Sequence, residues 1–578
     1  MSVAALPRPL AAPAARPAVR WSSLLLKGLP LLLGIIIVVP LVLLLINSFN
    51  VAGVAKSPTY GLGNWVQAFA DQATVGALLN SLSLALVRTA ISMPFGILLA
   101  WLVARTDMPG RSLVELLAWL SIFTPILPLT LGWILLLDPR FGLINSILNV
   151  FPFWHGHEFN VYGFWGITWV YLASNSIAFK VVLLVPAFRR VGAAIEDAAR
   201  MCGASMWKAT LRITLPLLLP AILLVMLITL VFSFEGFEVE LLLGEPVRFF
   251  VYSTRIYDLV TNQPPYVGEA TAVGFVFLVW LVGLTILYQW FIRNRTYTTV
   301  TGSGYISRPI RLGNWRWVAT AGSLGFFAIS IGLPFTLLVM GSFMRLYGFF
   351  NVQNAFTAAH WHELFSDPAF TVGVRNSLII SAVTAVVVIV LYSIVAYAIL
   401  RSNSWALKIT DRLVWAPWAM PGILMSLGLL WFYLATPART LLYGSLAGII
   451  VAFIIRGSPL STQFFKTSLL QIGRELEDGA RICGASWHYM YRRILLRLLA
   501  PTAVTVGLLS FLQSMYDIST PVLLYTTKSR PLSLLMLEYA FSGARERGAA
   551  IGVIITSFVM IVLLLSRSFG YRLSRDRL

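Results

Sequence analysis

Charge is scarce in this chain. Only 11% of its 578 residues are Asp, Glu, Lys or Arg, against about 25% in a soluble domain, so the inventory cannot cover an ordinary water-facing surface. Cysteine is scarcer still, with two residues, which excludes a disulfide scaffold. Five histidines occur, as the close pairs His155/His157 and His360/His362 and as His488. No carboxylate or cysteine set stands with them at ligand spacing, so they are read as interface residues and no metal site is assigned. A GxxxxGK[ST] phosphate loop is also absent, which leaves the chain without its own nucleotide-hydrolysing site of that kind.

Apolar residues make up 58% of the sequence and fall in long blocks. Between Lys27 and Lys56 no charge interrupts GLPLLLGIIIVVPLVLLLINSFNVAGVA, and 378–400 and 548–566 are similarly uncharged. A bilayer crossing needs about 20 such residues as helix, and a backbone in hydrocarbon must satisfy its own polar groups, which favours helix throughout. The expected class is therefore an all-α integral membrane protein. Twelve spans are predicted near 28–49, 79–104, 114–137, 162–187, 214–236, 272–292, 317–341, 374–400, 413–436, 441–462, 498–519 and 548–567.

The net charge of +20 resides in the tails and in short loops on alternate sides of these spans, as the positive-inside rule requires of a cytoplasmic face. That distribution argues against a nucleic-acid partner, because no basic segment adjoins a soluble recognition module. It predicts cytoplasmic N- and C-termini, a tail over 1–27, membrane domains over 28–297 and 317–578, and a linker over 298–316.

The two halves repeat each other in parallel. Asn80-Ser81-Leu82 opens a span ending at Arg105, and Asn376-Ser377-Leu378 opens one ending at Arg401, 296 positions later. Pro125 then aligns with Pro421, and Leu131-Gly132 with Leu427-Gly428, at that offset. Proline inside a membrane helix frees a carbonyl and favours a bend, so Pro125 and Pro421 are candidates for shaping a path through the bundle.

The strongest repeat lies in two loops. AIEDAARMCGASMWKATLRITLPLLLP begins at Ala194, and ELEDGARICGASWHYMYRRILLRLLAP begins at Glu475. Glu196, Asp197, Ala199 and Gly203 match Glu477, Asp478, Ala480 and Gly484 at a constant offset of 281, so the second half is 15 residues shorter ahead of this loop. Glutamate four residues before arginine, at Glu196/Arg200 and Glu477/Arg481, favours a short helix. The small residues permit close approach of another protein, and the glycine permits a sharp turn.

These loops resemble the EAA loops of inner-membrane permeases from binding-protein-dependent ABC importers. The resemblance spans nearly the whole chain, as two fused permease domains of about six helices each. Asp197 and Asp478-Gly479 depart from the simplest motif, and Arg497 replaces the proline equivalent to Pro216. The resemblance implies a bacterial inner-membrane location and loop helices that engage two copies of a cytoplasmic ATPase. ATP and Mg2+ would be held in that partner, with no cofactor on this chain. It also implies an external solute-binding protein.

The stretch FTPILPLTLGWILLLDPRFGLIN is most similar to the ferric-iron branch, with thiamine, polyamine and phosphonate branches as alternatives. An ion-coupled secondary carrier is the competing class, since twelve spans in parallel halves also suit it. Glu235, Glu238 and Asp517, at the ends of the fifth spans, are candidates for a pore or external vestibule. Arg88, Lys180 and Arg456 fall within predicted spans and can snorkel or pair across the bundle.

Overall fold

The computed structural model describes residues 19–52, 57–152, 156–191, 196, 198–199, 201–293, 309–350, 352–402, 404–437 and 439–575. The tail before residue 19, most of the linker, His155, Asp197 and Arg200 lie outside the described residues. The chain resolves into two compact units. One comprises residues up to Val38 with Val386–Ala416 and Gly457–Gly507; the other comprises Val39–Ala385, Pro417–Arg456 and Leu508–Leu578.

Helix underlies all twelve expected spans, in two forms. Seven helices are continuous, long and apolar enough to cross a membrane: Gly28–Ser48, Gln72–Arg105, Phe164–Arg190, Met206–Glu235, Trp315–Phe343, Pro368–Arg401 and Arg545–Ser566. Four more arise only as bent pairs, which is where the structure departs from simple rods. Arg111–Phe123 meets Ile126–Leu137 at 99°, Trp405–Trp418 meets Gly422–Ala435 at 117°, Leu446–Arg456 meets Ser458–Leu470 at 50°, and Trp487–Leu498 meets Ala500–Tyr516 at 76°. The sixth expected span falls on Val267–Arg293, whose apolar stretch Val267–Trp280 is shorter.

The two sharpest breaks sit at the aligned prolines. Pro125 (φ −59°, ψ 130°) and Pro421 (φ −52°, ψ 143°) each stand extended immediately before the second helix of their pair. Proline disfavours helical geometry in the preceding residue and has no N–H to continue the ladder. Ahead of the first break Thr124 closes its helix on the Leu120 carbonyl, donating both its N–H at 3.0 Å and its Oγ1 at 2.7 Å.

Beyond these breaks the halves exchange partners through aligned glycines. A Cβ on Gly132 would stand 2.0 Å from the Pro334 carbonyl oxygen, on the first span of the second half. A Cβ on Gly428 would stand 3.0 Å from Leu44 and 3.3 Å from Pro40, on the first span of the first half. Each half thus packs its glycine-bearing helix against the other half's first span. Such close approach, rather than any hydrophobic drive, is what associates helices in lipid. Tyr347 adds a hydrogen bond to the Leu131 carbonyl at 2.8 Å.

The repeated Asn-Ser pairs act as anchors. Asn80 Nδ2 donates to the Phe250 carbonyl (2.9 Å) and Ser81 Oγ accepts from Tyr252 N (2.7 Å), tying down helix Tyr252–Thr261. Asn376 Nδ2 donates to the Lys528 and Arg530 carbonyls (both 3.0 Å) and Ser377 Oγ accepts from Leu532 N (2.7 Å), fixing helix Leu532–Phe541.

Candidate functional site

The two loops share one local geometry. Gly203 and Gly484 adopt φ of +84° and +77°, a left-handed conformation that side chains resist. Ala204 N donates to Ala199 O, and Ala485 N to Ala480 O, both at 3.0 Å. Ser205 and Ser486 then cap the next helix, accepting from Lys208 N at 3.4 Å and Tyr489 N at 3.3 Å. A π turn follows in each copy, at Thr210–Thr214 and Tyr491–Leu495. Every one of these pairs keeps the 281-residue offset.

The matched glutamates point into their own chain. Glu196 is 7% exposed and Glu477 2%. Glu196 is ion-paired with Arg105 and accepts from Thr214 Oγ1. Glu477 accepts from Arg401 Nε at 2.7 Å and from Tyr397 Oη at 2.9 Å. The same guanidinium groups reach a second acceptor just ahead of each loop: Arg105 Nη1 donates to Val191 O at 3.1 Å, and Arg401 Nη2 to Ile472 O at 3.2 Å. Val191 and Ile472 are themselves aligned at the 281-residue offset.

Outward the loops present a large apolar residue among small and charged ones. Met201 and Ile482, at aligned positions, are 84% and 87% exposed. Cys202, Cys483, Gly203, Gly484 and Asp478 are exposed beside them, while Ala199 and Ala480 are half-buried. Asp478 is paired with Arg481 at 3.3 Å, and Arg481 stands 3.9 Å from Glu477. In the sequence Arg105 and Arg401 stand out only as the ends of aligned spans, and nothing local marks Met201 or Ile482.

Glu235 and Asp517 form a second constellation. Glu235 ends helix Leu215–Glu235 and Asp517 follows helix Ala500–Tyr516, the fifth spans of the two halves. Arg456 joins them, at 3.4 Å from Glu235 and 3.3 Å from Asp517. Asp517 also accepts from Ser519 Oγ, Thr520 N and Thr520 Oγ1 at 3.0, 3.2 and 2.7 Å. Glu238 is half-buried on the neighbouring helix Glu238–Gly244. Arg456 thus bridges Glu235 and Asp517, one internal cation shared between two of the three candidate vestibule carboxylates.

The other cations within spans are also held internally. Arg88 pairs with Glu240 at 3.3 Å, donates to Ser233 O at 2.6 Å, and lies 4.2 Å over the Tyr171 ring. Tyr171 Oη donates to the other oxygen of Glu240 at 2.8 Å. Lys180 Nζ donates to Ser176 O and reaches Ser176 Oγ, at 3.0 and 3.2 Å.

Duplicated bundles, broken spans at aligned prolines and two geometrically matched loops define a multi-pass membrane permease built twice in one chain. The chain belongs to the family of binding-protein-dependent transport system inner membrane components, which matches residues 92–297 and again 389–578. It is similar to a probable ABC transporter permease protein of Sinorhizobium fredii, 27% identical over 69% of this chain and 70% of that protein. A putative ferric transport system permease protein of Haemophilus influenzae is 27% identical over 79% of this chain and 71% of its own. A ferric transport system permease protein of Actinobacillus pleuropneumoniae is 25% identical over 93% and 77%.

Proposed function

We propose that this chain forms the whole membrane pathway of an ATP-driven importer whose paired loops, 196–203 and 477–484, receive the motion of two cytoplasmic ATPases. The carrying observation is the loop geometry repeated residue for residue: a buried glutamate, a left-handed glycine, a serine cap and an outward Met201 or Ile482. A rigid turn with its acid turned inward and a large apolar residue turned outward suits insertion into a pocket of a soluble partner. ATP and Mg2+ are held by that partner. In this reading the termini and both loops are cytoplasmic, and 28–297 and 317–578 are the two permease domains.

Transport proceeds by alternating access. A loaded external binding protein docks, ATPase closure is transmitted through the loops, and the halves separate on the outer side. Solute enters, and hydrolysis restores the inward-facing state. Ferric iron is the proposed substrate, supported by two of the three relatives above being ferric transport system permeases by name. Pro125 and Pro421, at the sharpest breaks, and Glu235, Glu238 and Asp517, at the ends of the fifth spans, are the proposed path residues.

The test is copurification from native membranes, comparing wild type with Met201→Asp/Ile482→Asp. A stoichiometric ATPase subunit retained by wild type and lost from the folded variant is expected. A wild type that carries no ATPase, even after cross-linking in the membrane, would transfer the chain to the ion-coupled carriers. For the substrate, uptake of radiolabelled ferric citrate should depend on the chain; equal uptake by a deletion strain would remove iron from the proposal.

A further inference from the structure

The geometry points to Arg105 and Arg401 as positioning residues, and we propose that each clamps its loop helix in the orientation that couples to the ATPase. The coupling half of this proposal rests on the functional reading above; the clamping half does not.

Each arginine is the last residue of a long membrane helix, Gln72–Arg105 or Pro368–Arg401. Among the described residues each guanidinium reaches the buried glutamate of its loop and the carbonyl at Val191 or Ile472 ahead of it. A single contact would act as a pivot. Two contacts from one planar fork fix both distance and rotation, a task that the point charge of lysine performs poorly.

The contact is independent of sequence spacing. Arginine and glutamate are 91 residues apart in the first half and 76 in the second. The 15-residue difference between the halves therefore falls between the partners, and the contact has re-formed across it in the same arrangement. Accessory donors differ: Thr214, on the π turn after the glycine, serves Glu196, whereas Tyr397, on the arginine's own helix, serves Glu477. The first loop is thereby tied across its own return, and the second only to the preceding span.

An aromatic contact accompanies each clamp, although its loop partner shifts by one position between the halves, Trp207 aligning with His488. Trp101 stacks on Trp207 with centroids 5.4 Å apart, and Tyr397, aligned with Trp101, lies 6.1 Å from Trp487. Each sits one helical turn before the arginine, so the span end grips the loop at its start and again after its serine cap.

The sequence's two cysteines, Cys202 and Cys483, are free and exposed at the loop tips, and supply native labelling sites. The experiment attaches a nitroxide to one, with the other changed to serine, and reads its mobility in the full-length protein. Arg105→Gln is expected to free a label at Cys202 and leave one at Cys483 unchanged, with the converse for Arg401→Gln. Because Gln leaves a buried glutamate without its cation, the paired variants Arg105→Gln/Glu196→Gln and Arg401→Gln/Glu477→Gln are measured beside them and should free the labels equally. Lysine in place of either arginine should restore the wild-type immobilisation of the label only in part. In the copurified complex, the paired variants should retain the ATPase subunit while ATP hydrolysis falls at least fivefold.

Labels unmoved in folded variants would overturn the clamp. Freed labels with hydrolysis unchanged would overturn its part in coupling. A wild-type preparation without any ATPase subunit would sink the importer reading, while the label spectra would still decide whether the arginines hold the loops.

Discussion

Arg456 Nε stands 3.3 Å from Asp517 Oδ2 and its Nη2 3.4 Å from Glu235 Oε2, so one cation from the second half holds a carboxylate from the fifth span of each half. All three side chains are largely buried. Removing one partner of such a group leaves charges without compensation, which costs about 3–5 kcal/mol. Arg456→Ala should therefore lower the thermal stability of the detergent-solubilised protein by an amount in that range. The triple variant Arg456→Met/Glu235→Gln/Asp517→Asn should recover most of it; equal instability of both would show that the charges are compensated elsewhere.

Gly203→Ala and Gly484→Ala isolate backbone strain, because a Cβ at either position would meet nothing within 4 Å. Holding an L-residue in the left-handed region costs roughly 1–2 kcal/mol. The expected outcome is a locally loosened turn with global melting nearly unchanged, seen as faster amide exchange confined to the loop. Asparagine, which tolerates this region better, should be milder than alanine.

Asp71 and Asp367 are aligned at the 296-residue offset and precede aligned spans. Burial opposes ionisation of Asp71, but hydrogen bonds from Thr74 and Ala73 and the Arg255 guanidinium prevail and hold its carboxyl below the usual 3.8. For Asp367 the Tyr539 hydroxyl acts first, with the Ala369 amide assisting against partial burial. A depressed folded pKa stabilises fully above the unfolded value and is lost as pH falls through the folded one. Asp71→Asn/Asp367→Asn should be less stable than wild type at pH 7, with the gap closing below about pH 4. Melting curves at pH 7, 5 and 3.5 read this; a constant gap would show that charge is not the source.

Tyr171→Phe removes one hydrogen bond to Glu240 and leaves the Arg88 pair. A loss of about 1.5–3 kcal/mol is expected, because the acceptor is a buried carboxylate. Arg88→Met should cost more, about 3–5 kcal/mol, since Glu240 would then be buried without a cation. Similar losses in the two variants would place the energy in ring packing instead.

The sequence by itself determined the class, the duplication and the location of the paired loops. Uncharged blocks of about 20 uniformly apolar residues are too long for barrel strands and so select helix in hydrocarbon, and matched strings such as CGAS at 202–205 and 483–486 survive without any structure. Aligned Pro125 and Pro421 marked the breaks, although not that they would reach 99° and 117°. Tertiary structure alone decided where the charges go. A glutamate in a loop reads the same whether it faces a partner or its own chain; Arg105 and Arg401, 91 and 76 residues away, turned both inward. Likewise nothing local pairs Glu235 with Arg456, 221 positions later. Helix formation is written in short-range periodicity and hydropathy, whereas ion pairing depends on which helices meet, and that was set by close contacts such as Gly132 with Pro334 and Gly428 with Leu44.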